Sequence, residues 1–103
     1  MMVRSYCGHI DSAFINEKIT VNGWVNTRRD HGGVIFIDLR DHSGLIQIVF
    51  NPEHRELFTD AQNLRTEYVL EIKGTVHQRP DGTINPDMFT GEIELHADEL
   101  MIL

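Results

Sequence analysis

Between residues 18 and 50, apolar side chains recur at every second position and glycine-bearing turns interrupt the alternation twice, a pattern that few folds accommodate. Ile19, Val21, Gly23 and Val25 alternate with Thr20, Asn22, Trp24 and Asn26, the period of a half-buried strand. The run breaks at Arg28-Arg29-Asp30-His31-Gly32-Gly33, which reads as a glycine-ended hairpin loop. A second strand follows over Val34 to Arg40, with Ile35, Ile37 and Leu39 on one side and Val34, Phe36, Asp38 and Arg40 on the more polar side. Asp41-His42-Ser43-Gly44 is a tight turn. Leu45 to Phe50 then forms a third strand, with Ile46, Ile48 and Phe50 facing one way and Leu45, Gln47 and Val49 the other. A meander of three strands is expected.

The second half changes period once. Asn51-Pro52-Glu53 carries a capping side chain, a proline suited to the first helical position and an acid for the positive first turn, so a helix is expected to begin there. Leu57, Phe58, Ala61 and Leu64 supply its apolar stripe. Strand pattern returns at Tyr68 to Val76, with Tyr68, Leu70, Ile72, Gly74 and Val76 on one face. A loop rich in Pro, Asp, Gly and Asn spans Gln78 to Thr90, and a last strand starts near Gly91, with Ile93, Leu95 and Ala97 inward and Glu92, Glu94 and His96 outward. The order β-β-β-α-β-β predicts an all-β domain, a five-stranded oligonucleotide/oligosaccharide-binding (OB) barrel with one helix between strands 3 and 4. With 103 residues and no repeat, residues 1–103 read as one domain whose core forms without disulfide or metal.

Charge and cysteine content exclude several classes. The net charge of -7 argues against a generic DNA-coating protein, but the excess acid is confined to the second half: residues 1–50 carry five basic and five acidic side chains, residues 51–103 four and eleven. A polyanion is therefore expected to approach the first half only, and to be held by specific contacts. Cys7 is the single cysteine, which leaves no intramolecular disulfide and points to a reducing compartment. The six histidines show no metal-ligand spacing, so no metal site is expected. Met1 to Gly8 holds no apolar leader segment and no run is long enough to span a bilayer, the pattern of a cytoplasmic domain without membrane contact.

An OB barrel binds ligands on its second and third strands and on the loops joining strands 1 to 2 and 4 to 5, and the polar candidates fall there. Phe36, set among Asp38 and Arg40, offers a platform for an unpaired base; the alternative is a core phenylalanine. Gln47 on the neighbouring strand carries a donor and an acceptor together, as the edge of a uracil requires; the alternative is a solvated glutamine. Arg28 and Arg29 suit phosphates or a base edge through their planar forks, although a bare pair is more often a solvated turn. Arg79, Thr83 and Asn85 lie in the second loop. Glu94 is either a base reader or simple surface, with surface favoured, and His31 is a loop contact or a turn residue without a role. No nucleophile-base-orienter set and no phosphate-cradling glycine loop occurs, so no catalytic residue is expected.

Gly23-Trp24-Val25-Asn26, Arg28-Arg29-Asp30, Val34-Ile35-Phe36-Ile37-Asp38-Leu39-Arg40-Asp41, Gly44 and Gln47 resemble the N-terminal anticodon-binding domain of bacterial aspartyl-tRNA synthetases of class IIb. Tyr6-Cys7-Gly8 and the stretch from Asn85 through Met88 and Thr90-Gly91-Glu92-Ile93-Glu94 favour the aspartyl member over its lysyl and asparaginyl relatives. The resemblance implies that the barrel grips the anticodon loop of tRNA. Phe36 would stack on the central uridine, Gln47 would hydrogen-bond it, Arg29 and Glu94 would help read the neighbouring bases, Arg79 and Asn85 would belong to the second gripping loop, and Arg28 would be a further anticodon-binding residue. It further implies a parent aspartate-tRNA ligase that is a homodimer mostly outside this region, with ATP and Mg²⁺ used by a catalytic domain absent here. Thr27 stands where many relatives carry a third arginine. Asp30-His31-Gly32-Gly33 together with Thr83 is similar to relaxed synthetases that charge both tRNA(Asp) and tRNA(Asn), which makes His31 and Thr83 the expected discriminating positions. The competing expectations are a stand-alone single-strand-binding OB domain and a purely structural barrel.

Overall fold

The period-two segments form strands because each can place its branched apolar side chains on one face and leave the other to solvent or ligand. A computed structural model of the chain describes residues 3–103, with side chains from residue 5; Met1 and Met2, at the head of the segment read for a leader, lie outside the described residues. Strand β1 (Val3–Ser5) is followed by short 3-10 turns at Cys7–His9 and Ser12–Phe14. Then come β2 (Lys18–His31), β3 (Val34–Asp41), β4 (Gly44–Phe50), helix α1 (Arg55–Ala61), β5 (Val69–Gln78) and β6 (Ile93–Ile102). The sheet order is β1-β2-β3-β4-β6-β5, and pairing of β2 with β5 closes β2 to β6 into a five-stranded barrel. The helix lies between the third and fourth barrel strands, as expected. β1, which the sequence did not suggest, adds a short parallel pairing at the edge, Val3 opposite Ile19.

Closure depends on one long strand. β2 pairs antiparallel with β5 from Lys18↔Thr75 to Trp24↔Val69, and with β3 from Trp24↔Arg40 to His31↔Val34. The register shifts by one residue between Val25 and Thr27, a bulge that bends the strand from one neighbour to the other. Gly23 sits just before the bend, where a Cβ would overlap the Arg40 carbonyl, and Gly74 on β5 lies equally close to the carbonyl of His96. Inside, Ile35, Ile37 and Leu39 of β3 and Ile46, Ile48 and Phe50 of β4 meet Val21, Val25, Ile72, Val76, Ile93 and Leu95, all buried. Ala61 and Leu64 come from the helix and the turn after it, with Leu57 and Phe58 packed against the core, so the apolar stripe read from sequence points inward.

Four boundaries differ from expectation. Arg28 to His31 is strand and not loop: the turn is only Gly32-Gly33, whose φ values of 60° and 80° give the turn twist that two antiparallel strands prefer. The four polar residues remain extended because each pairs with a residue of β3 while both faces of the arm reach solvent or a cleft. The helix begins at Arg55, not at Asn51: the Asn51 side chain is used elsewhere, against His96, and the N-cap His54 makes no side-chain cap bond. Tyr68 precedes β5 and is exposed, and β6 starts at Ile93, since Gly91 closes the preceding loop through its bonds with Asn85 and Met88.

The amino-terminal segment is tied to the β3–β4 turn. The Asp41 carboxylate accepts from the Cys7 and Ser43 backbone N–H groups, each at 2.8 Å, and the Ser43 hydroxyl oxygen accepts from Gly8 N–H at 2.8 Å. Burial alone would raise the Asp41 carboxyl, but the bonds from the Ser43 hydroxyl and the two backbone amides outweigh it and hold the group below its ordinary value. The Cys7 thiol beneath is pushed far up, first by burial and then by Asp41, and is the one free cysteine.

Two outcomes follow from this packing. Gly74→Ala is expected to lower stability by about 1–3 kcal/mol, because β5 and β6 must separate to admit the methyl group, and urea unfolding measures it. Cys7 is expected to react with a thiol reagent only as fast as the barrel opens, so a rate in native buffer matching that in urea would show the thiol to be accessible.

Candidate nucleic-acid interface

Four adjacent strands each send a polar side chain to the same outer patch. In register, Arg29 of β2 lies opposite Phe36 of β3, and Asp38 of β3 lies opposite Gln47 of β4. β4 in turn runs parallel to β6, which carries Glu94. Above this patch opens a cleft of about 400 Å³ lined by Arg29, Phe36 and Gln47 from the strands, His31 and Asp30 from the hairpin arm, and Arg79 and Thr83 from the loop after β5. Phe36 is half-buried, with the Arg29 guanidinium carbon 6.0 Å from its ring centroid. The ring is therefore neither core nor free surface, the geometry a stacking platform needs.

The floor is polar and fully coupled. Arg29 Nη2 donates to Gln47 Oε1 at 2.9 Å and lies 3.4 Å from Asp38 Oδ1. Gln47 Nε2 donates to Glu94 Oε1 at 3.1 Å, and Glu94 Oε2 is 2.7 Å from His96 Nε2. Asp38 is also held from below, accepting from the Thr27 hydroxyl at 2.6 Å. The expectation that Glu94 is surface is thus corrected: Glu94 and Gln47 are both buried. A buried carboxylate persists because donors meet both its oxygens, and the loop after β5 is fastened beside β4 by the Thr90 hydroxyl, which donates to the Leu45 carbonyl at 2.6 Å.

Arg79, expected in the second gripping loop, is buried at its base. Its Nε donates to the Ile93 carbonyl at 3.0 Å, while Nη1 lies 3.4 Å from the Thr83 carbonyl. Burial lowers its guanidinium from the ordinary value, opposed by the charges of Glu94 and Asp38 and reinforced by Arg29; it stays cationic at neutral pH. Thr83 folds onto the Pro80 carbonyl through its hydroxyl, at 2.6 Å.

Three candidates are not brought into the cleft lining: Arg28, Asn85 and Glu94, the last reaching it only through its bond with Gln47. Arg28 alternates to the opposite face of β2 from Arg29; its guanidinium pairs with Asp30 at 3.1 Å and donates to the Gln62 and Leu64 carbonyls at 2.6 and 3.1 Å, closing the end of helix α1. Asn85 uses its side-chain oxygen to accept from Asp87 N–H at 3.0 Å, within the loop and away from the cleft lining.

Sequence reasoning missed Asp38, His96, His77 and Asn51 as members of the same network. His77 and His96 stack with centroids 3.9 Å apart, and Asn51 Nδ2 lies 3.3 Å from His96 Nδ1. Burial, then the neighbouring His96, lower the His77 imidazole below its usual range, against the pull of Glu94 and Asp98. The available signal was the spacing of Glu94 and His96, two apart on one strand and so on one face. No group of three or more His, Cys, Asp or Glu side chains among the described residues converges as a metal site, and no helix among them is long and apolar enough to cross a membrane.

Comparison with known proteins agrees with this geometry. The chain is 58% identical over 98 residues to the aspartate--tRNA(Asp/Asn) ligase of Endomicrobium trichonymphae, and 57% identical over 99 residues to that of Halothermothrix orenii; each match covers 95% of this chain and 17% of the relative. The chain thus spans about a sixth of the length of these relatives. Among solved structures, asparaginyl-tRNA synthetase from Pyrococcus horikoshii superposes with a TM-score of 0.82 at 26% identity, covering 100% of this chain and 23% of that one. Residues 19–103 match the tRNA anti-codon family, described as an OB-fold nucleic acid binding domain. Carrying that family's match over nearly all of its barrel, and the strand order, cleft and floor described above, the chain belongs to the tRNA anti-codon family of OB-fold nucleic acid binding domains.

Proposed function

We propose that this chain is the anticodon-binding domain of an aspartate-tRNA ligase, and that its cleft takes the unpaired bases of the anticodon loop. The observation that carries the reading is the pairing of a half-buried aromatic ring with an oriented amide: Phe36 and Gln47 line one cleft, and the amide is held at both ends by Arg29 and Glu94. With one Oε1 lone pair and one Nε2 hydrogen so engaged, Gln47 keeps one acceptor and one donor for a base edge, matching the N3–H and O4 of a uridine stacked on Phe36. Arg29 and Arg79 supply local positive charge in a chain of net charge -7, so affinity comes from contacts in the cleft and not from a basic surface. Glu94 serves the adjacent base indirectly, through Gln47. Arg28 and Asn85 shape the hairpin and the loop that bound the cleft.

The names of the two relatives, both ligases for tRNA(Asp) and tRNA(Asn), support a relaxed parent. His31 from the hairpin arm and Thr83 from the loop after β5 both line the cleft and are the positions we assign to that choice, since the two tRNAs share a central uridine and differ at the third anticodon base. The parent's partner is tRNA, its compartment the cytoplasm, and its homodimer contacts lie mostly outside this barrel. ATP and Mg²⁺ do not fit the residues here: Asp38 and Glu94 are already engaged by Arg29, Thr27, Gln47 and His96, and no phosphate-cradling loop adjoins them. That chemistry belongs to the parent's catalytic domain. A stand-alone single-strand-binding barrel is less supported, because Phe36 is the only phenylalanine, tyrosine or tryptophan among the described residues lining the cleft.

Titration with labelled anticodon stem-loops tests the reading. The chain is expected to bind loops with the aspartate and the asparagine anticodons within a few-fold of each other, and both well above a loop with an unrelated anticodon; equal affinity for all three would refute it. Phe36→Ala is expected to weaken binding by ~1–3 kcal/mol while the fold is retained, and a stability loss of ~3–5 kcal/mol measured by urea unfolding would instead mark the ring as core. Gln47→Ala is expected to cost roughly 1–3 kcal/mol of binding for central-uridine loops and much less for others, together with some stability, because it strips a donor from buried Glu94.

A further inference from the structure

The carboxylate of Glu94 is buried and must be met by donors on both oxygens. Gln47 Nε2 serves Oε1 at 3.1 Å and His96 Nε2 serves Oε2 at 2.7 Å. The other ring nitrogen, Nδ1, faces the Asn51 amide nitrogen at 3.3 Å. One neutral tautomer satisfies both ends: Nε2–H donates to Glu94 while Nδ1 accepts from Asn51. Rotation of the ring is restrained by its stack on His77, at 3.9 Å and an interplanar angle of 25°. Residues from the end of β4, from β5 and from β6 thereby converge on one carboxylate.

The consequence reaches the base-facing amide. A turned-over Gln47 would set its carbonyl oxygen against Glu94 Oε1 and its NH₂ against the Arg29 guanidinium, two repulsive contacts in place of two attractive ones. A Glu94 held in place enforces that choice together with Arg29, which is exposed and so the weaker of the two restraints. Without the His96 N–H, Oε2 lies buried without its donor and the carboxylate is drawn toward the cations Arg29 and Arg79, which releases the amide. We infer that His96 is a positioning residue for base recognition: acting through Glu94, it sets the donor–acceptor polarity of Gln47 and hence the preference for uridine over cytidine at the stacked position. The base assignment rests on the proposed anticodon function; the orientation of the amide does not.

The experiment compares the wild-type chain with His96→Phe, which keeps a ring to stack on His77 but has no N–H, and with His96→Gln, which restores a donor. Stem-loops with central uridine and central cytidine are titrated, the Gln47 side-chain amide is followed by ¹⁵N NMR in the free chain, and thermal unfolding reports the fold. His96→Phe is expected to lower the uridine-to-cytidine affinity ratio roughly tenfold and to shift or broaden the Gln47 amide pair, and His96→Gln is expected to restore most of both. A purely structural role would weaken both loops alike, and that result, or an unchanged ratio, or an unmoved Gln47 amide, overturns the inference. Should His96→Phe fail to fold, Asn51→Ala frees the same ring and is expected to lower the ratio in the same direction; an unchanged ratio there is equally decisive. Failure of the wild-type chain to prefer any loop overturns the anticodon reading itself, whereas a wild-type preference that His96→Phe leaves intact overturns this inference alone.

Discussion

Strand β2 is hydrogen-bonded along both edges, to β5 through its first half and to β3 through its second, and the barrel exists because one strand changes partner without ending. The bulge between Val25 and Thr27 supplies the bend, and Gly23 and Gly74 allow neighbouring backbones to approach where a side chain would hold them apart. The same bend sends the Arg28 to His31 arm beyond the barrel wall, paired only with β3. Alternation on that arm separates two adjacent arginines by function: Arg29 turns to the cleft and Arg28 ties the arm to the end of helix α1. Closing the core and building the site are thus one structural event.

The site itself is a polar chain, Asp38–Arg29–Gln47–Glu94–His96–Asn51, laid across four neighbouring strands, with Gln47 and Glu94 buried at its middle and Arg29 exposed at the cleft. Burying Gln47 and Glu94 costs free energy unless their donors and acceptors are met, which favours the one arrangement in which Arg29 and His96 close the two ends. That constraint is useful for recognition. An amide at a solvated surface presents either end to a base with little preference, while one wedged between a guanidinium and a carboxylate presents a fixed pattern, and discrimination arises from the pattern it refuses as much as the one it accepts. Charge is arranged in the same spirit: the cleft arginines Arg29 and Arg79 are opposed by the neighbouring carboxylates Asp38 and Glu94, leaving bulk attraction for RNA weak in a chain of net charge -7.

Local rules made much of this legible before any coordinates. Period-two alternation located β3, β4, β5 and β6 and their inward faces, because a strand with one buried side has no freedom to shift register by one residue. The apolar stripe of α1 and the turn at Asp41 to Gly44 followed equally from spacing and turn chemistry. Phe36, Gln47, Arg29, His31, Thr83 and Arg79 were all assigned from sequence to the surface that proves to be the cleft. What alternation could not supply was burial by non-local contacts: Gln47 and Glu94 sit on outward strand positions and Arg79 in a loop, yet all three are buried and bonded to partners far apart in sequence or on other elements. The helix start failed for a related reason, since Asn51 had a partner on β6 that competes with capping.

The sequence by itself determined the strand order, the position of the helix and the identity of the residues offered to a ligand, because these depend on periodicity and turn propensity within a few residues. Tertiary structure alone decided which of those residues share a cleft, which face each arginine takes after the β2 bulge, and which polar groups become buried and coupled. Those outcomes depend on long-range pairing, β2 with β5 and β4 with β6, and on the requirement that a buried carboxylate find its donors wherever the chain brings them.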